Sequence, residues 1–297
     1  MKKILICGIG GQLGLSLKNI FSKDNKYQIH GIDLNPDGSS NMHSCDIANK
    51  KDLSNIFKKI SPDIVINAAA LVNAEICEEK KDLTYSINYL GNKNILELSK
   101  KYSSDFVFIS SYYVFDGTKK EYYETSTPTP INYYGIMKLL AEQDSLSYEK
   151  TLVIRPGKIF SLGYDLRNFI ARTQQSLARN EKIKAINDQF NNPIHADFLS
   201  DSIKQLIEKG EKGIYNVAGK DYVSNFEFAK LFAKHFNFNE SLIDSIKTDE
   251  TNQIAQRPKN VELKLDKLEK AGIKAHSLEK MFEHMESIFS KNQLFKV

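Results

Sequence analysis

The stretch Ile4-Leu5-Ile6-Cys7-Gly8-Ile9-Gly10-Gly11-Gln12-Leu13-Gly14 decides the fold class. Four apolar residues in a row predict a buried strand. Glycines follow at once, and then Leu13, Leu17 and Ile20-Phe21 recur at helical spacing. A GxGxxG pattern counted from Gly8 fails at Leu13. A GxxGxxG pattern fits Gly8, Gly11 and Gly14. Glycines between a strand and a helix allow a tight turn, close approach of the backbone to a pyrophosphate, and close helix–sheet packing. The free N–H groups and partial positive charge of the helix start favour phosphate there. Gln12 and Leu13 lie within the same loop as candidate cofactor contacts. Asp33 ends the next apolar run, nineteen positions beyond Gly14. An acid about 20 residues on is placed to hold the adenosine ribose diol, and it repels a 2′-phosphate. The expected cofactor is NAD(H) or NADP(H), with NAD(H) favoured by Asp33.

Outward from this unit, strand-like runs keep alternating with helical patterns. Strands are expected over Tyr27 to Asp33, Met42 to Cys45, Asp63 to Asn67, Phe106 to Ile109 and Thr151 to Ile154. Helices are expected over Ile47 to Ile60 and Tyr133 to Leu146, with one long helix marked by Leu83, Ile87, Leu90, Ile95 and Leu98. Such alternation predicts an α/β protein with a Rossmann-type doubly wound parallel sheet. Beyond Arg155 the alternation weakens. Helices are expected over Asn168 to Ala178, Asp197 to Lys209 and Asn225 to Phe236, and a strand over Gly213 to Val217. Two helical segments split around Gly272 are expected in the tail. The expected division is a dinucleotide-binding domain over 1–157, with returning segments near 190–217. A smaller, mostly helical substrate-binding lobe follows over 158–297.

Composition excludes several classes. The 297 residues carry 41 basic and 37 acidic side chains, a net +4, which argues against a nucleic-acid binder. Apolar residues are 41% and charged residues 26%, so the chain can build an ordinary core. No run reaches the ~20 apolar residues of a membrane span, and none reads as a signal segment. Cys7, Cys45 and Cys77 form no CxxC pair and read as small buried hydrophobes in a reducing, cytoplasmic setting. No metal site is visible, and Glu78-Glu79 reads as a pair of solvated helix residues. The arginines are only Arg155, Arg167, Arg172, Arg179 and Arg257, so each is expected where its planar fork is useful.

The chemistry-bearing motif is Tyr134-Gly135-Ile136-Met137-Lys138. On a helix, positions i and i+4 share a face, which selects Tyr134 over Tyr133. A free phenol titrates near ~10, and a nearby cation lowers that value. The strand ending Phe108-Ile109-Ser110-Ser111 delivers a hydroxyl to the crevice where such sheets bind ligands.

Together these residues resemble the extended short-chain dehydrogenase/reductase superfamily, and within it the dTDP-4-dehydrorhamnose reductase branch. The resemblance rests on GxxGxxG, Asn67-Ala68-Ala69-Ala70, Ser110-Ser111, Tyr134 with Lys138, Tyr113-Val114-Phe115-Asp116-Gly117, Asp188-Gln189-Phe190, and Arg257-Pro258-Lys259-Asn260. It implies reduction of a 4-keto group on a nucleotide-activated 6-deoxysugar. Tyr134 would be the general acid. Lys138 would bind the nicotinamide ribose and hold the phenol's pKa down, and Ser111 would hydrogen-bond the carbonyl oxygen. Asp46 and Ile47 match the segment that meets the adenine, and Ala68, Ala69 and Ala70 line the cofactor. Asn88 matches a helix asparagine that supports the active site in relatives. Arg257 is the candidate for a diphosphate oxygen, the alternative being that it orders its loop.

The chain also departs from the branch. Leu71-Val72 replaces a polar pair, Lys158 stands where a tryptophan is common, and His195 follows Ile194. Lys158 and His195 are candidate substrate contacts, although a lone histidine more often makes a structural hydrogen bond. An epimerase on the same fold is the second enzyme reading. A non-catalytic nucleotide-binding regulatory subunit, like the β-subunit of methionine adenosyltransferase, is the third. The resemblance is compatible with a homodimer paired through helices, although no exposed stripe stands out in the sequence.

Overall fold

Ile4 to Cys7 are completely buried, as a strand covered on both faces must be. A computed structural model of the chain describes residues 1–162 and 168–292, so Arg167 lies outside the described residues. The first half runs β1 (Lys2–Cys7), α1 (Gln12–Ser22), β2 (Tyr27–Asp33), β3 (Met42–Ser44), α2 (Lys50–Ile60), β4 (Ile64–Asn67), α3 (Ala74–Glu79) and α4 (Lys81–Thr84). A π-helical stretch over Tyr85–Gly91 then leads into α5 (Asn92–Lys101). Next come β5 (Asp105–Ile109), a 3₁₀ turn at Tyr112–Val114, β6 (Glu121–Tyr122), α6 (Tyr133–Leu146) and β7 (Thr151–Pro156). The second half carries β8 (Ile159–Phe160), α7 (Phe169–Ala178), β9 (Ile183–Ile186), β10 (Phe190–Asn191), β11 (Ile194–His195), α8 (Ala196–Glu208) and β12 (Gly213–Val217). It ends with β13 (Val223–Ser224), α9 (Asn225–His235), β14 (Ile243–Ile246), β15 (Glu262–Leu263), α10 (Asp266–Lys270) and α11 (Leu278–Asn292).

The central sheet has the order β12-β7-β5-β4-β1-β2-β3, with every neighbouring pair parallel. The doubly wound expectation holds. Chain direction across the sheet reverses between β1 and β4, and ligands bind such sheets at the strand ends beside that reversal. Gly8 and Ala68 are the first residues beyond those two ends. One sheet face packs Ile4, Ile6, Ile64 and Ile66 against Leu13, Leu17 and Phe21 of α1, and this core continues into Leu199 of α8, Phe228 of α9 and Phe282 of α11. The opposite face packs Leu5, Val65, Phe106 and Val153 against Leu53 and Phe57 of α2 and Ile95 of α5. Segments beyond residue 190 thus return to the sheet, β12 as an edge strand beside β7. Cys7, Cys45 and Cys77 are buried and unpaired. No helix among the described residues is long and apolar enough to cross a membrane.

Two expectations change. The long helix read from Leu83 to Leu98 contains the π stretch, and Leu83 and Leu90 are exposed. Ile95 and Leu98 face the core as expected, but the inward positions of the first half are Thr84, Asn88 and Asn92, all buried. They are polar residues, so hydrophobic periodicity could not assign them. An exposed apolar stripe does exist: Leu83, Tyr85 and Leu90 are exposed along this helix, as are Ile136 and Leu140 on the packed α6.

Candidate active site

The glycine loop closes tightly over the ends of β1 and β4. Gly8 has a φ of +79°, and a Cβ there would lie 2.7 Å from the Ala69 backbone. Gly14 lets α1 sit on the strand end, because its Cβ would lie 2.1 Å from the Gly8 carbonyl oxygen. Gly11 is the N-cap of α1, with no side-chain cap, and the first turn holds no acid. The free N–H groups of that turn are therefore open to an anion, which fits a pyrophosphate. Gln12 adds a buried Nε2 with no protein partner. Gly10, outside the GxxGxxG count, proves part of the site. Its N–H donates to Asp33 Oδ2 at 2.9 Å, and a Cβ on it would crowd that carboxylate at 3.1 Å. Asp33 thus stands directly against the loop, at the end of β2.

Beside it, Ile47 is buried and Asp46 is exposed, with Asp46 Oδ1 accepting from Ala48 N–H at 2.9 Å. Gly91 in the π stretch makes room for Ile47, since a Cβ would lie 2.6 Å from its side chain. After β4, Ala68 N–H donates to the Cys7 carbonyl at 3.0 Å, and Ala69 N–H to Asn67 Oδ1 at 3.2 Å. Ala68, Ala69 and Ala70 are half-buried. Asn88 holds the residue beyond them. Its Oδ1 accepts from Leu71 N–H at 2.7 Å and its Nδ2 donates to the Leu71 carbonyl at 2.9 Å.

Ser111, Tyr134 and Lys138 meet at the end of β5, all buried. Asn132 caps α6 by accepting from Gly135 N–H at 2.8 Å. Glu78 accepts from Tyr133 N–H at 2.6 Å, so it is a capping group of this helix rather than a solvated residue. Gly135 lets the helix touch the preceding turn, because a Cβ would lie 2.2 Å from the Tyr113 carbonyl oxygen. The Tyr134 ring meets the Tyr113 ring edge-on at 5.7 Å. Burial pushes the Tyr134 phenol up from the usual tyrosine range, and its hydrogen bond with Ser111 pulls the other way. Lys138 Nζ donates to the Ile109 carbonyl and lies 4.3 Å from the centre of the Phe108 ring. Burial pushes the ammonium down to about 7, with Glu142 opposing. In the protein without its cofactor, burial raises the phenol, Ser111 is the group that opposes it, and Lys138 is not among the causes of the shift.

The three expected substrate contacts differ in setting. Arg257 Nη1 pairs with Glu75 Oε1 at 2.6 Å and donates to the Ala255 carbonyl at 3.1 Å. Glu75 Oε2 in turn accepts from Ile254 and Ala255 N–H. Lys158 is half-buried, donates to Asn225 Oδ1, and sits 4.7 Å over the Phe169 ring. Burial pushes it down to about 7, helped by the Arg257 and Arg172 cations. His195 departs from the role of a substrate contact. It is buried, its Nδ1 accepts from Asp197 N–H at 3.2 Å at the start of α8, and its ring packs edge-on against Phe160.

This geometry agrees with what the chain is similar to. The description "RmlD substrate binding domain" matches residues 1–289. The chain belongs to the RmlD substrate binding domain family. It is 30% identical to a dTDP-4-dehydrorhamnose reductase of Aggregatibacter actinomycetemcomitans over 91% of this chain and 93% of that protein. It is 27% identical to methionine adenosyltransferase 2 subunit beta of Xenopus laevis over 92% of this chain and 83% of that protein. Its fold superposes on the crystal structure of a dTDP-4-dehydrorhamnose reductase from Bacillus anthracis in complex with NADP. That TM-score is 0.87 at 29% identity, covering 96% of this chain and 99% of that one.

Within this RmlD-family chain, sequence reasoning missed three kinds of group. Gly10 and Glu78 act through backbone contacts that no spacing rule marks. Asn92 is buried between Asn67 Oδ1–Nδ2 chemistry and α6: its Oδ1 accepts from Asn67 Nδ2 at 2.8 Å, and its Nδ2 donates to Ser145 Oγ at 3.1 Å. Finally, His195, Asp197 and His284 bring ligand-type atoms within 4.8 Å of one another, although His284 is far from the other two in sequence. In the structure these groups serve a hydrogen-bond network, with Asp197 accepting from Ser16 Oγ at 2.7 Å and pairing with His284 Nε2 at 2.9 Å.

Proposed function

We propose that this protein reduces the 4-keto group of a nucleotide-activated 6-deoxysugar, using a nicotinamide cofactor. The observation that carries the reading is the convergence of Ser111, Tyr134 and Lys138 at one strand end beside an open, glycine-lined helix start. The reductase named among its relatives supports the same chemistry. The bound, reduced cofactor supplies the hydride. Ser111 Oγ positions the ketone oxygen by hydrogen bonding. Tyr134 Oη gives its proton to that oxygen as the alkoxide develops, which works at neutral pH because the buried phenol keeps its proton. Lys138 holds the cofactor's ribose, and solvent returns the proton to the phenolate. Gly8, Gly11, Gly14 and the α1 amides hold the pyrophosphate, Asp33 the adenosine ribose, and Ile47 the adenine edge.

Asp33 supports NADH over NADPH, because its carboxylate repels a 2′-phosphate. The relative from Bacillus anthracis holds NADP, so the preference is open to direct measurement. Residues 158–297 form the substrate lobe in this reading, with Arg257 and Lys158 turned to the diphosphate and the sugar. The exposed stripe of Ile136 and Leu140 supports a homodimer paired through α6. Ser111 is followed by Tyr112 and Tyr113 rather than by an acid, which argues against a dehydratase.

The test is reduced-cofactor consumption against a panel of nucleotide-linked 4-keto-6-deoxysugars. One cofactor oxidised per ketone supports the reductase. Sugar conversion without net oxidation supports an epimerase. Silence across the panel, with clear cofactor binding, supports a regulatory subunit.

A further inference from the structure

We propose that Glu142 is the positioning residue of this site, keeping Lys138 charged and fixing the strand end that carries Ser111. The inference rests on reading Tyr134 and Lys138 as the acting pair. Tyr134, Lys138 and Glu142 stand at i, i+4 and i+8 of α6, on one buried face. Glu142 Oε2 accepts from Ser110 Oγ at 2.7 Å and from Arg155 Nε at 3.1 Å, while Oε1 accepts from Arg155 Nη2. One turn earlier, Lys138 donates to the Ile109 carbonyl. The two side chains therefore grip the last residue of β5 and the residue just beyond it, and the next residue is Ser111.

A buried carboxylate needs a partner, and the Arg155 fork supplies it. Arg155 is 1% exposed, donates to the Glu124 carbonyl at 3.3 Å, and lies 5.0 Å from the Phe115 ring. A structural ion pair alone would need neither the Ser110 bond nor the neighbouring lysine. The charged and titratable groups around the pair come from several elements. Tyr134 lies on the same helix, Arg155 comes from β7, and Tyr113 from the 3₁₀ turn and Cys77 from α3 both face the phenol. Of these, Glu142 is the charge that works against the desolvation of Lys138.

The experiment follows the Lys138 Nζ proton by NMR of the full-length protein labelled with ¹⁵N-lysine. The resonance is assigned by its loss in K138M. In E142Q the Lys138 midpoint is expected to fall by about one pH unit or more, as expected for loss of an opposite charge nearby. The alkaline limb of kcat should move by the same amount. E142Q leaves Arg155 buried without its partner, so it is paired with the E142Q/R155M variant, which leaves no unpaired charge at this site. Lys138 titrating at its wild-type midpoint in a folded E142Q/R155M protein overturns the proposal. A shifted midpoint in a protein that turns over no sugar supports this proposal and overturns the reductase reading instead.

Discussion

Asn88 bonds both backbone polar groups of Leu71, accepting from its N–H at 2.7 Å and donating to its carbonyl at 2.9 Å. A single side chain thereby copies one rung of a β-ladder, and it fixes the chain just after Ala68, Ala69 and Ala70. Asn88 lies in the π stretch over Tyr85–Gly91, between Thr84 and Asn92 on the buried side. Asn88→Ala removes both bonds. Stability should fall by about 1–2 kcal/mol, and, if Ala68, Ala69 and Ala70 line the cofactor as proposed, NADH should bind more weakly because that segment loses its anchor. Asn88→Asp keeps the acceptor but sets a buried carboxylate oxygen against the Leu71 carbonyl, so it should destabilise at least as much as Asn88→Ala. Thermal unfolding and NADH fluorescence titration read both effects. Unchanged cofactor affinity in a folded Asn88→Ala protein would separate this bond from the cofactor site.

Tyr134→Phe keeps the ring that packs against Tyr113 and removes only the proton donor. Turnover of the 4-keto sugar should drop on the order of 10²–10⁴-fold. Fold and NADH binding should stay near wild type. Since the wild-type phenol keeps its proton at neutral pH, the alkaline limb of kcat belongs to Lys138, which titrates at about 7. Stopped-flow oxidation of NADH with the ketone present is the measurement, and near-wild-type turnover removes Tyr134 from its role.

Asp33→Asn preserves an oxygen that can accept from Gly10 N–H and removes the negative charge. The kcat/KM ratio of NADPH to NADH should then rise on the order of tenfold or more, since a 2′-phosphate no longer meets a like charge. An unchanged ratio would mean that the carboxylate serves the loop and not the cofactor choice.

The sheet and the helix that carries Tyr134 and Lys138 are legible in the sequence for a physical reason. Strands covered on both faces are continuous apolar runs, as at Ile4 to Cys7, and a helix that places Tyr134 and Lys138 on one face must space them by four. Gly8 and Gly14 are legible because only a missing Cβ allows the contacts made there. What stays hidden is polar and long-range. Asn88 and Asn92 are buried amides on a helix whose apolar signal is split: Ile95 and Leu98 do face the core, while Leu83 and Leu90 are exposed, so the periodicity does not mark the amide positions. Arg257 also has a partner that no local spacing marks, Glu75, on a helix 182 positions earlier in numbering. His195 reads as a site residue until its burial is known.

His195 gives the prediction with a definite pH sign. Burial pushes it from its ordinary value of 6.5 down to about 4, and its Nδ1 is an acceptor for Asp197 N–H at the start of α8. A proton on Nδ1 would end that cap. The folded state therefore binds the proton less readily than the unfolded chain. Its contribution to stability is present above pH 6.5 and is lost as pH falls through about 4, by roughly 3 kcal/mol for a shift of this size. His195→Asn retains a side-chain oxygen that can accept from the same N–H and has nothing to protonate. The variant should unfold with a flatter dependence on pH between 6.5 and 4 than the wild type. Asp197 and His284 are the same in both proteins, so their titration cancels in the difference to first order. Urea unfolding at a series of pH values gives the two curves, and parallel curves would assign the acid sensitivity of this region to the Asp197–His284 pair.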